Sequence, residues 1–147
     1  MTLLVAAVIV HDVTNGRIVL IQRGPKAKFA RGCWDLPIGK NAPGEPVTMT
    51  AVRELKEETG LIVTPDDLEV AHVIHGSQGV ESPSGFLTVV FAAKRWSGEP
   101  MNMEPDKHSA VEWVDVAEVP SRTFVPDRLD AITAYLTGAA SITCSGW

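Results

Sequence analysis

Three carboxylates, Glu54, Glu57 and Glu58, are spaced so that a helix would gather them on one face. At about 100° per residue they share an arc of roughly 100°. Glu54 lies at i−3 and i−4 to the other two, a spacing at which like charges repel by about 0.2–0.5 kcal/mol per pair. Left alone, such an arc is a solvated acidic face. With a partner it is a seat for a hard divalent cation that takes oxygen ligands, and Mg²⁺ is the usual one beside phosphates.

A helix has to hold those carboxylates, and the neighbouring residues specify one. Pro46 suits the first helical turn and Gly60 the position just past the last. Thr48, Ala51, Val52 and Leu55 fall together beside the acidic arc, giving the helix a face that docks on a core. The spacing predicts a helix over residues 47–59. The stretch 39–61 also fits a longer pattern without a gap: Gly, five residues, Glu, seven residues, Arg-Glu, an aliphatic, any residue, Glu-Glu, any residue, Gly, an aliphatic. Gly39, Glu45, Arg53, Glu54, Leu55, Glu57, Glu58, Gly60 and Leu61 fill its defined positions. This is the Nudix box, and the chain resembles a Nudix hydrolase of the MutT-like nucleotide diphosphatase branch. One departure is Pro37-Ile38-Gly39, where family members often read Pro-Gly-Gly. A β-branched residue does not readily take positive φ, so the turn is expected to differ locally.

The resemblance implies hydrolysis of a phosphoanhydride bond assisted by Mg²⁺, with Mn²⁺ as the alternative ion. It implies that Glu57 and Glu58 lead the metal ligands, that Glu54 is a ligand or the base, and that Gly39 brings a backbone carbonyl oxygen near the metal. Arg53 would orient a box carboxylate through paired hydrogen bonds, and Glu45 would tie the loop to the helix. Downstream, the run from Asn102 through Trp113 to Pro120 is similar to one in MutT-like enzymes. In many of those a carboxylate of this loop joins the metal site or acts as base. Glu104 is the candidate here and Asp106 the second choice; a solvated turn around Pro105 is the plain alternative. The expected catalytic set is Arg53, Glu54, Glu57, Glu58 and Glu104, and the expected metal set Gly39, Glu54, Glu57, Glu58 and Glu104.

Arg23, Lys26, Lys28 and Arg31 form the densest basic patch, after a predicted strand and ahead of the box. They either solubilise a loop or meet substrate phosphates. A planar guanidinium suits phosphate, and related enzymes place a basic residue in this region, so Arg23 is the expected contact, with Lys40 beside it. Trp34 is either core or a base-stacking wall, and Phe124 is the other aromatic considered for stacking. His11, His72 and His75 lie on or beside predicted strands and read as structural or surface residues.

The remaining chain must position these groups. Its 147 residues are 45% hydrophobic and 21% charged, enough for one domain with a core. A net charge of −5 leaves no basic footprint for a nucleic-acid polymer. Cys33 and Cys144 show neither metal spacing nor a disulfide framework and read as reduced thiols of a cytoplasmic protein. No apolar run reaches the length of a membrane span, and Met1 to Val10 lacks the features of a signal peptide and reads as a strand. Further strands are predicted at 17–22, 33–37, 68–75, 86–95 and 111–114, with a hairpin turn at Asn15-Gly16 and a second helix over 127–137. Strands apolar on both faces need two covers. Together with the resemblance, this gives an α+β, Nudix-type α/β/α sandwich with a mixed central sheet, a single domain over 1–147, monomer or homodimer. The tail 139–147 is expected to order against the domain or a partner chain, or to fray.

The expected reaction converts a nucleoside triphosphate, oxidised or modified ones included, to the monophosphate and pyrophosphate. The alternatives are hydrolysis of another nucleoside diphosphate derivative, a nucleotide sugar or dinucleoside polyphosphate, and a catalytically silent nucleotide-binding module. The intact Arg53, Glu54, Glu57, Glu58 set argues against silence. His75 to Gly79 carries neither the proline of nucleotide-sugar enzymes nor the tyrosine of dinucleoside polyphosphate enzymes.

Overall fold

The computed structural model describes residues 1–139 and 141–147. In chain order the strands are β1 (Leu3–Asp12), β2 (Arg17–Arg23), β3 (Trp34–Asp35), β4 (Ile38–Lys40), β5 (Leu68–Gly76), β6 (Phe86–Ala93), β7 (His108–Asp115) and β8 (Ile142–Ser145). Helix α1 (Val47–Thr59) lies between β4 and β5, and α2 (Arg128–Thr137) between β7 and β8. Short 3₁₀ turns fill Pro65–Asp67 and Val116–Ser121. The predicted box helix and the ends of both helices hold: Gly60 takes the left-handed conformation (φ 76°) and donates to the Lys56 carbonyl at 2.9 Å.

β1 is the strand the sheet is built on. On one edge it runs parallel to β6 from Leu3↔Phe86 to Val10↔Ala93. Its other edge is divided. Val5 to Ala7 pair antiparallel with Lys40 to Ile38 of β4, and only His11 and Asp12 pair with Ile18 and Arg17 of β2. The Asn15-Gly16 hairpin therefore exists but is short, closed by Asp12, whose carboxylate accepts from Asn15 Nδ2 (2.8 Å) and Arg17 Nε (2.9 Å). Beyond the turn β2 leaves β1 and pairs with β7 and β3. β5 and β6 form the expected antiparallel pair joined by a long loop.

Alternation on the central strands sends side chains to two cores, as β geometry requires. Ala7, Ile9, Ile18 and Leu20 pack beneath Ala131 and Ile132 of α2. Ala6, Val8, Val10 and Val19 pack beneath Ala51 and Leu55 of α1. The molecule is thus an α/β/α sandwich with a mixed sheet, the acidic helix covering one face. Among the described residues of the tail, β8 runs parallel to β5, from Val73↔Ile142 to Gly76↔Ser145. Among the described residues no helix is long and apolar enough to cross a membrane.

Leu55 is fully buried and anchors α1 directly behind the acidic face. Leu55→Ala should cost about 2–5 kcal/mol in urea unfolding, the range for emptying a packed leucine site. A cost below about 1 kcal/mol would show that the helix is held by something other than this contact.

Candidate active site

The site begins with one side chain. Arg53 projects from α1 back over the loop that precedes it. Its Nε donates to Glu45 Oε2 at 2.8 Å and its Nη2 to Glu45 Oε1 at 3.0 Å, a bidentate pair. Nη2 also donates to the Lys40 carbonyl at 3.1 Å, and Nη1 to Glu54 Oε1 at 2.8 Å. Glu45 in turn accepts from the Thr50 hydroxyl (2.8 Å) and the Ala42 amide (3.2 Å). These contacts hold the Glu45 carboxyl down at about 2, Arg53 being the largest cause and Thr50 the next. Loop and helix are therefore one unit. Gly39 lies flush on that unit: a Cβ there would sit inside the Glu54 carboxyl group.

Glu58 is the most deeply buried of the three glutamates. Its Oε1 accepts from the Ile38 amide at 2.9 Å. The residue that departs from the family pattern thus serves the site through its backbone, in an extended strand rather than a positive-φ turn. Glu58 Oε2 lies 3.3 Å from Nε2 of His108, at the start of β7. Glu104, from the loop before β7, completes a cluster in which ligand atoms of Glu58, Glu104 and His108 all lie within 4.8 Å of one another. Burial pushes the Glu58 carboxyl up to about 9, with the charges of Glu54, Asp35 and Glu104 adding and the Ile38 amide opposing. Burial also raises Glu54, against the pull of Arg53, and lowers His108. The Nδ1 of His108 is buried with no hydrogen-bond partner. Oxygen donors crowded this way, one of them driven toward its neutral form, match a hard divalent cation, whose charge would restore the carboxylates. Glu58, Glu104 and Glu54 would hold it.

Two clefts meet here. One, of about 440 Å³, is lined by Glu54, Glu58, Glu104, His108 and Arg23. The other, of about 530 Å³, is lined by Arg23, Phe29, Asp35, Lys40, Glu81 and Arg128, among others. Arg23, Ile38 and Glu81 belong to both. Arg23 is held at the boundary by its Nε, which donates to the Phe29 carbonyl at 2.8 Å. Lys40 points into the larger cleft but is paired with Glu81 at 2.7 Å. Glu57 stands outside both clefts, on the exposed side of the helix, 3.5 Å from Arg53 Nη1. Asp106 lines the smaller cleft and is exposed. Trp34 is core: its ring is buried, with the Arg122 guanidinium 4.4 Å above it, and it lines neither cleft. Phe124 packs against the same core.

Sequence reasoning missed four members. His108 carried no motif, because Glu58, the buried carboxylate it meets, comes from α1, far along the chain. Asp35 and Arg128 form a buried pair at 2.8 Å on the wall of the larger cleft. A lone aspartate between Trp34 and Leu36 in an apolar strand was the available signal, since such a charge is rarely buried unpaired. Glu81 sat in a polar loop with nothing to distinguish it.

This fold and this acidic helix define a hydrolase of the Nudix class, and the comparisons agree. The family model described as NUDIX domain matches residues 1–135, and the chain belongs to that family. Among its relatives is a putative 8-oxo-dGTP diphosphatase 2 of Mycobacterium tuberculosis, 31% identical over 140 residues, 91% of this chain and 92% of that one. Another is an uncharacterized Nudix hydrolase, YvcI, of Bacillus subtilis, 26% identical over 77% of this chain and 67% of that one. The chain spans only 27%, 29% and 31% of the length of three other relatives. Among solved structures, a MutT NUDIX hydrolase from Burkholderia pseudomallei superposes with a TM-score of 0.77 at 28% identity, covering 90% of this chain and 97% of that one.

Two outcomes follow from the geometry. Glu58→Gln keeps size and loses charge, so the fold should persist while turnover falls more than about 100-fold, since even groups behind a ligand cost roughly 10–100-fold. Retained turnover would remove Glu58 from the metal set. The second concerns acid stability. The Glu45 carboxyl stands at about 2 when folded against an ordinary 4.5, so its contribution is complete above pH 4.5 and is lost as pH falls toward 2. The Tm gap between wild type and Glu45→Gln should be widest above that window and close within it. A gap independent of pH would mean the charge of Glu45 does not matter.

Proposed function

We propose that this Nudix hydrolase cleaves nucleoside triphosphates, oxidised ones included, to the monophosphate and pyrophosphate, with Mg²⁺ or Mn²⁺ held by Glu54, Glu58 and Glu104. The observation that carries the reading is the continuity of the two clefts across Arg23. A nucleoside seated in the larger cleft lays its phosphate chain past Arg23 toward the glutamates of the smaller one. In the reaction an oxygen of water forms a new bond to phosphorus, the anhydride P–O bond breaks, and the bridging oxygen leaves with the other fragment. A divalent cation supplies charge to offset the phosphate oxygens and to activate water. The chain's own groups do the positioning. Arg23 offers Nη donors to phosphate while its Nε stays on Phe29. Arg53 fixes Glu54 in place. The neighbouring Lys107, paired with Glu104 at 3.2 Å, holds that carboxylate at the mouth of the cleft. The mycobacterial relative, described as a putative 8-oxo-dGTP diphosphatase 2, supports the choice of a triphosphate over a nucleotide sugar.

Side-by-side kinetics on dGTP, 8-oxo-dGTP, dCTP, ADP-ribose and diadenosine polyphosphates at equal Mg²⁺ should give the highest kcat/KM to a triphosphate. ADP-ribose or a dinucleoside polyphosphate ahead of every triphosphate would replace this reading. Arg23→Ala should raise KM about tenfold or more, the worth of a hydrogen bond to a charged group; an unchanged KM would take Arg23 off the phosphate.

A further inference from the structure

The match to the family ends at residue 135, yet the segment after α2 is built into the larger cleft. Ser145, the last residue of β8, lines it. The β5–β6 ladder stops at Gly76↔Phe86, so Ser77 is the first residue beyond its support. Both donors of Ser77 go to the tail: its amide to the Ser145 carbonyl at 3.0 Å and its hydroxyl to the Gly146 carbonyl at 2.7 Å. Trp147 adds a third tie, donating from Nε1 to the His75 carbonyl at 3.2 Å and packing its ring 4.8 Å from the His75 ring. Immediately after Ser77 come Gln78 to Ser82, five consecutive residues that form one wall of the cleft. That loop is tight within itself, Gly79 and Ser82 exchanging amide–carbonyl bonds at 2.9 and 3.1 Å, so its position depends on how its ends are held. Ser77 anchors its leading end; farther on, Glu81 pairs with Lys40 at 2.7 Å and Gly85 donates to the Ser82 carbonyl at 3.0 Å.

We infer that the segment Ile142–Trp147 is a clasp that fixes the Gln78–Ser82 wall and so sets which base and sugar the cleft accepts. Ser77 and Trp147 are positioning residues, and Ser145 meets the ligand directly. The inference rests on the reading of the larger cleft as the nucleoside's seat. It does not depend on which nucleotide is preferred. β6 takes one edge of β5 and β8 the other, and both ladders end at Gly76. What the tail adds lies at the point where that pairing ends.

The test uses Ser77→Ala, Ser77→Thr and Trp147→Ala in the full chain. KM and kcat are measured on the wild type's preferred substrate and on a second nucleotide, with inhibition by inorganic pyrophosphate as a probe that has no nucleoside. Ser77→Ala and Trp147→Ala should each raise KM two- to tenfold, the effect of about one hydrogen bond. They should also narrow the difference between the two nucleotides, leaving kcat and pyrophosphate inhibition as they were. Ser77→Thr, which keeps the hydroxyl, should restore the wild-type KM. Unchanged KM and selectivity in both variants would overturn the clasp. So would a parallel loss of kcat, pyrophosphate inhibition and Tm, which would make the segment scaffold only. A wild type that prefers ADP-ribose or a dinucleoside polyphosphate would fail the proposed reaction instead, and the variant-to-wild-type ratios on that substrate would still judge the clasp.

Discussion

The guanidinium of Arg53 is the interaction on which the site depends. It bonds the Glu45 carboxylate twice, the Lys40 carbonyl and the Glu54 carboxylate, so loop, helix and one of the glutamates share a single rigid fork. A lysine has the charge but not the planar donors to do this. The fork has an electrostatic side as well. Burial acts to neutralise Glu54, and the contact with Arg53 acts to keep it charged. The same residue thus sets where the carboxylate is and in what state it is found.

From that fork the site is assembled out of parts with unequal burial. Glu58 is shut in between β4 and His108, Glu54 is half-buried, and Glu57 faces solvent. One acidic arc has become a gradient of environment, because α1 packs by Ala51 and Leu55 and turns one edge of that arc inward. An acidic protein that binds polyanions must supply positive potential locally. Here Arg23 stands at the junction of the clefts and Lys40 lines the larger one, where Glu81 occupies it through an exposed ion pair of the weak, readily exchanged kind.

What could be read from the sequence follows the distance over which each feature is encoded. The box was legible because Gly39, Glu45, Arg53 and the glutamates are neighbours along the chain, and both helices and most strands followed from local pattern. The two-sided packing followed from strands apolar on both faces. His108 against Glu58, Asp35 against Arg128, and Ser77 against Gly146 were not legible, because each pair is joined only by the sheet's long-range pairings. The parallel pairings of β1 with β6 and β5 with β8 have no turn signal to announce them. Trp34 was ambiguous for a different reason: an aromatic in a short strand suits core and stacking wall equally, and only its burial in the folded core, away from both clefts, places it.

The division of β1 between distant partners also governs when this site can exist. Its main partner, β6, comes late, and β7, which brings His108 to β2, comes later still. Closing such loops costs chain entropy before any contact returns it, which makes folding of this kind slow. On a ribosome the acidic helix leaves the tunnel after β1 and β2, which supply Ala6, Val8, Val10 and Val19 beneath its apolar face, but before β6 and β7. Until β7 emerges and sets His108 beside Glu58, a nascent chain can hold the fork of Arg53 and Glu45 but not the buried end of the acidic face.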